Sequence, residues 1–202
     1  MVATKSLSVL EILSNAAAII AESEVLQLTN IKNINIGLKT YFKIIEGKTA
    51  ELFSAACETG AMIATSNLNQ IKSFKSYGKS IGICFQLIDD YLDYKGDKKI
   101  MGKLIGNDFF NSKLTYPIII TLNEGTNSEK EKIEKLFKKK QKTKNDLKLI
   151  LEILDNNNAL QKTKIEAVRW SKKAKEEVQK IPQNTITSLL QELADSIISR
   201  SS

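Results

Sequence analysis

Three carboxylates, Asp89, Asp90 and Asp93, fall close together in the chain, and Gln86 precedes them. On a helix turning about 100° per residue, Asp89 and Asp93 lie one turn apart, so their carboxylates aim at the same spot. Like charges at that spacing repel by a few tenths of a kcal/mol per pair, so a compensating cation is expected. A hard divalent ion suits oxygen ligands best. Mg²⁺ typically takes one or two carboxylates, keeps waters, and shares the rest of its shell with substrate phosphates. The plainer alternative is the solvated acidic end of an amphipathic helix, and D-D-x-x-D alone does not separate the two.

The sequence after this cluster, KGDKKIMGKLIGNDFFNSKLTYPIII, carries Gly96, Gly102 and Gly106 as loop punctuation. Lys103, Asp108 and Lys113 are spaced along it, before an apolar segment entered through Pro117. Lysines beside a magnesium-type cluster suit a diphosphate, whose several negative charges both metal and ammonium groups can neutralise.

The combined pattern is more specific. F-Q-x-x-D-D-x-x-D, then G-K-x-x-G-x-D, then K-x-T-x-P resembles the second aspartate-rich region of trans-polyprenyl diphosphate synthases. The likeness extends upstream to Lys48-Thr49 and the Glu24-Val25-Leu26-Gln27 stretch, and is greatest to long-chain, octaprenyl-type members that make quinone side chains. It implies an all-α, isoprenoid synthase-type helical bundle around a central cavity. It also implies prenyltransfer, in which an allylic prenyl diphosphate is joined to isopentenyl diphosphate with Mg²⁺ as cofactor. By match of motif, Asp89, Asp90 and Asp93 hold magnesium and Gln86 lines the same site. Lys48, Lys103 and Lys113 bind diphosphate oxygens, Thr49 lines the allylic pocket, and Asp108 anchors the loop or stands behind the metal. Ser112 replaces a glycine usual in the family, Tyr116 a leucine, and Ser23 another glycine.

The elements that position these residues are read as helices throughout. Apolar residues recur at three and four, glycines number nine and prolines two, and no stretch reads convincingly as a strand. A first helix spans about residues 7–28, with Leu7, Leu10, Leu13, Ala17, Ile20, Val25 and Leu28 as its core side. A connection covers 29–38, and a long helix runs over about 39–65, with Phe42, Ile45, Thr49, Leu52, Phe53, Ala56, Gly60 and Ile63 near one face. Its small residues, Ala55, Ala56, Gly60, Ala61 and Ala64, would let a neighbouring helix come close. The acidic helix, 71–94, has a core arc of Phe74, Tyr77, Ile81, Phe85, Ile88 and Leu92. Further helices are expected over about 114–122, 130–138, from an Asn145 or Asp146 cap to 154, 159–181 and 184–198. Trp170 reads as a packing anchor.

Composition narrows the chemistry. At 202 residues the chain suits a single helical domain over 1–202 with a substantial core. Histidine is absent, which removes His-dependent nucleophiles and most zinc sites. Cys57 and Cys84 read as buried free thiols, and a cytoplasmic location is expected. No stretch is long and apolar enough for a transmembrane segment. The net charge of +7, densest at KKKQKTK over 138–144, raises a nucleic-acid role. That run lacks interleaved aromatics, and a solvated linker with no nucleic acid partner is the better reading.

Residues 1–70 contain neither another D-D-x-x-D nor an arginine. In the family a first aspartate-rich motif with two arginines precedes the matched region. The bundle is therefore expected to lack the N-terminal helices, and the chain to be a truncated or split form with weak activity alone, forming a homo-oligomer or joining a complementary N-terminal half. The competing expectation is a noncatalytic helical partner subunit of a prenyl synthase.

Overall fold

The structure, a computed structural model, describes residues 6–95 and 105–200. These form helices joined by short connections: α1 (Leu7–Thr29), α2 (Leu38–Ile45), a π-helical turn (Glu46–Ala50), α3 (Glu51–Ala64) and α4 (Leu68–Lys95). There follow α5 (Asn107–Phe110), α6 (Tyr116–Glu124), α7 (Asn127–Lys138), α8 (Lys144–Asn156), α9 (Ala159–Gln179) and α10 (Thr185–Ser199). Among the described residues there is no strand, and no helix is long and apolar enough to cross a membrane.

Helix α4 is the axis, packed chiefly between α3 and α9, with α6 and α10 also against it. Neighbours on several sides explain why its core is not a single arc. Ile83, Cys84 and Leu87 are as fully buried as Ile81 and Ile88, whereas Phe74 and Phe85 are only half-buried. The Tyr77 hydroxyl donates to the Leu190 carbonyl at 2.8 Å, and the Ser171 hydroxyl to that of Ala194 at 2.9 Å, tying α4 and α9 to α10. Three capping boxes start the later helices: Thr126 with Glu129, Thr143 with Asp146, and Asn184 with Thr187. The cap of α8 is thus Thr143, with the expected Asp146 answering from the third helical position.

The long helix over 39–65 is continuous in direction, since Ile45, Glu46, Ala50 and Glu51 all keep right-handed helical angles, but the π-turn interrupts its phase. Such a turn inserts one residue. Buried Ala50, Ser54 and Ala61 each follow by one the positions expected inside, Thr49, Phe53 and Gly60, while Leu52 and Ile63 face out. Helix α1 also differs from expectation. Its buried stripe is Val9, Ala16 and Ser23, and Leu7, Val25 and Leu28 are more than half exposed.

Close helix approach occurs, but through α4. A Cβ on Gly78 would stand 2.3 Å from the Phe53 carbonyl oxygen, and one on Gly82 would stand 2.4 Å from the Ala50 Cα. Gly60, by contrast, faces open space. The obstruction at Gly82 is backbone and cannot rotate away. Gly82→Ala is expected to lower stability by roughly 2–3 kcal/mol, as overpacking does, measured by urea denaturation. Gly60→Ala should leave stability unchanged or slightly raised, because alanine is the better helix former.

Candidate active site

The π-turn sets the site. Gly47 lies against α1, where a Cβ would fall 1.8 Å from the Ser23 hydroxyl oxygen, so Ser23 fills the gap the glycine leaves. The next residue, Lys48, donates from Nζ to the Gln27 Oε1 at 2.7 Å and pairs with Glu24. Thr49 faces α4 and donates to the Gln86 Oε1 at 2.8 Å. Gln86 passes the connection on, donating from Nε2 to the Asp90 Oδ1 at 2.9 Å. The other oxygen of Asp90 accepts from the Tyr41 hydroxyl at 2.6 Å and from the Tyr116 backbone N–H at 3.3 Å.

This network borders a cavity of about 230 Å³. Gln27, Lys48, Thr49, Gln86, Asp90, Asp108 and Lys113 all line it, with Ile36, Ile44, Ile45 and Leu114 supplying apolar wall. The chain reaches the cavity's far wall through α5 and the turn after it. The Asp93 Oδ2 accepts the Asp108 backbone N–H at 3.0 Å, and Lys113 Nζ stands 3.6 Å from Asp108 Oδ1.

The three aspartates do not converge as helix geometry alone implied. Asp90 is 2 % exposed and points inward. Asp93 holds the start of α5, and Asp89 faces out to Arg200, 3.3 Å from its Nη2. Among the described residues no three carboxylate or thiol side chains are gathered closely enough to hold a metal ion. The chemistry of the donor set nevertheless suits a hard cation. Burial first, and then the negative field of Asp108, push the Asp90 carboxyl up to about 7 and that of Asp93 up to about 6. A cation there would relieve both effects. Lys103 lies outside the described residues.

Sequence reasoning missed Tyr41. Helical spacing could not have found it, because the π-turn breaks the count between Tyr41 and Lys48.

The chain matches the polyprenyl synthetase family over residues 1–154. It belongs to that family. Its sequence is 39% identical over 133 residues to octaprenyl diphosphate synthase of Escherichia coli strain K12, covering 66% of this chain and 41% of that protein. It is 33% identical over 170 residues to geranylgeranyl diphosphate synthase of Saccharolobus solfataricus, covering 84% and 51%. Among solved structures it superposes on decaprenyl diphosphate synthase from Rhodobacter capsulatus with a TM-score of 0.93 and 36% identity, covering all of this chain and 62% of that one. The polyprenyl synthase from Caulobacter crescentus, complexed with calcium and isoprenyl diphosphate, gives 0.94 and 37%, again over 62% of its length. The chain thus spans about half the length of the curated relatives it matches. The all-α polyprenyl synthase fold is the fold of this chain.

Two departures from the family's pattern have structural consequences. Ser112 is left-handed, with φ of 58°, the region glycine enters freely. Tyr116 packs its ring at a tilt against Tyr41 and edge-on against Phe42, with centroids 5.8 and 6.0 Å away, while its backbone N–H donates to Asp90.

The raised carboxyls carry a sign for stability. Unfolded aspartates titrate near 3.9, so between about pH 4 and 7 the folded chain retains protons that the unfolded chain has released. Stability of the metal-free protein therefore falls as pH rises through that window. In chelator, the melting temperature should be lower at pH 8 than at pH 5. Asp90→Asn should flatten most of the slope, since a turned Gln86 amide can still answer the new one. A wild-type curve flat over this range would contradict the burial argument.

Proposed function

We propose that the cavity binds the diphosphate of an allylic prenyl diphosphate during Mg²⁺-dependent condensation with isopentenyl diphosphate, in elongation toward a quinone side chain. The observation supporting this is the convergence of Lys48, Thr49, Gln86, Asp90, Asp108 and Lys113 on one cavity from three separate parts of the chain. Lys48 and Lys113 would exchange their present partners for diphosphate oxygens, each as a compact charge with rotatable donors. Thr49, Gln86 and Tyr41 hold Asp90 in place through the hydrogen bonds described, so no reorganisation is needed there when charge develops. Ile44, Ile45 and Leu114 offer apolar surface to the first isoprene unit. Asp89, Asp90 and Asp93 would hold magnesium directly or through water, Asp89 by leaving Arg200, and the metal would neutralise charge on the departing diphosphate. Lys103 joins the diphosphate ligands by the family's pattern.

Calorimetry with Mg²⁺ and inorganic pyrophosphate tests the reading. Uptake of pyrophosphate should require Mg²⁺, and Lys48→Ala should weaken it about tenfold or more, as loss of a charged hydrogen bond does. Pyrophosphate binding indifferent to both metal and lysine would refute it. A noncatalytic partner subunit has no need of this binding, so Asp89→Asn with Asp90→Asn separates the two readings.

A second proposal, that elongation requires association with another copy or a complementary piece, rests on exposed apolar residues. Leu7, Val25, Leu28, Leu52 and Ile63 are 55–83% exposed on α1 and α3. Light scattering at high concentration should give a mass above that of one chain, and Leu7→Glu with Val25→Glu should lower it. A monomer at all concentrations would dismiss this association.

A further inference from the structure

Outside the cavity, the strongest unexplained feature is Lys142. It belongs to the basic run, yet its ammonium is folded inward over two aromatic rings, 5.1 Å from the centroid of Phe109 and 5.3 Å from that of Phe137. It ends on the Ser112 hydroxyl. A half-buried lysine that lays its ammonium against a pair of rings and a hydroxyl is placed to hold something.

What it touches is a strained turn. Ser112 is 4 % exposed and left-handed, a conformation that costs a residue with a Cβ free energy that glycine avoids. Its other polar groups are also tied. The Ser112 N–H donates to the Phe109 carbonyl at 3.0 Å, and its own carbonyl accepts from the Lys32 N–H at 3.2 Å. Lys32 is itself left-handed, with φ of 65°, so two such residues from distant segments meet through one hydrogen bond. Directly after this turn the chain runs along the cavity: Lys113, Leu114 and Thr115 all line it. A change of φ at Ser112 would therefore swing Lys113 away from Asp108.

We propose that Lys142 is a positioning residue, which through its bond to the Ser112 hydroxyl holds the left-handed turn that aims Lys113 into the cavity. Glycine would keep the turn with no such bond; serine needs the lysine. Partial burial, and then the positive charge of Lys32, lower the Lys142 pKa. The role in ligand binding rests on the diphosphate reading above, whereas the role in the turn does not.

Two readouts separate these levels. Hydrogen exchange at the Ser112 and Lys113 amides, followed by NMR without ligand, reports the turn. Lys142→Met keeps the apolar stem over the rings and should speed exchange there about threefold to tenfold. Adding Ser112→Gly should restore the slow rate, and Lys142→Arg, which can still donate to the serine, should exchange nearly as slowly as wild type. Calorimetry with Mg²⁺ and pyrophosphate should follow the same order, weaker in Lys142→Met and recovered in the double variant. Unchanged exchange in Lys142→Met overturns the proposal, and so does exchange that Ser112→Gly fails to slow. Affinity lost equally with Ser112 or Gly at position 112 would mean that Lys142 acts on the ligand by its charge, which also overturns it. Wild-type protein that binds no pyrophosphate while its exchange rates obey this order would defeat the diphosphate reading and leave the turn's lock standing.

Discussion

The site depends on one steric condition: α4 must lie almost in backbone contact with the helix that bears the π-turn. Gly78 and Gly82 supply it, one against the Phe53 carbonyl and the other against Ala50. Gln86 follows Gly82 by one turn, on the same side of α4, which brings its amide within reach of Thr49. Were α4 held off by the width of a methyl group, that hydrogen bond would open. The path from Thr49 through Gln86 to Asp90 would then have no beginning.

Charge and burial are balanced around that contact. Asp90 is a buried carboxyl with three donors, and such a group tolerates burial only because Tyr41, Gln86 and the Tyr116 amide answer both its oxygens. Lys48 and Lys113, the cations of the cavity among the described residues, are each held by acidic partners, Glu24 and Asp108, that remain partly in water. Exposed pairs of this kind contribute little to stability. They can be exchanged for a more highly charged ligand at small cost. The buried carboxyl fixes the geometry, and the half-buried lysines remain available.

Much of this was legible in the sequence. Gln86 with the three aspartates marked the helix that bears the chemistry, and the lysines after it pointed to a diphosphate. Lys48 and Thr49 became meaningful only through the family's pattern, because the π-turn that aims them leaves no hydrophobic signature. It adds a residue, and every face counted forward from Lys39 at uniform pitch is wrong beyond it. Nor could spacing show that Asp89 turns outward, since its partner, Arg200, comes from the opposite end of the chain. Ser112 was recognisable as an unusual occupant of its turn, but the lysine that supports it lies thirty residues later, in a run that composition alone assigned to solvent.

The claim that the α4 cavity is where metal and diphosphate meet is tested most directly by paramagnetic broadening. Manganese, another hard cation for oxygen ligands, can replace magnesium in the presence of pyrophosphate while backbone amide signals are followed. Broadening should be concentrated at Thr49, Asp90 and Thr115 and leave Leu189 unaffected. Broadening that spares these cavity residues with pyrophosphate present, or falls equally on Leu189, would contradict the claim.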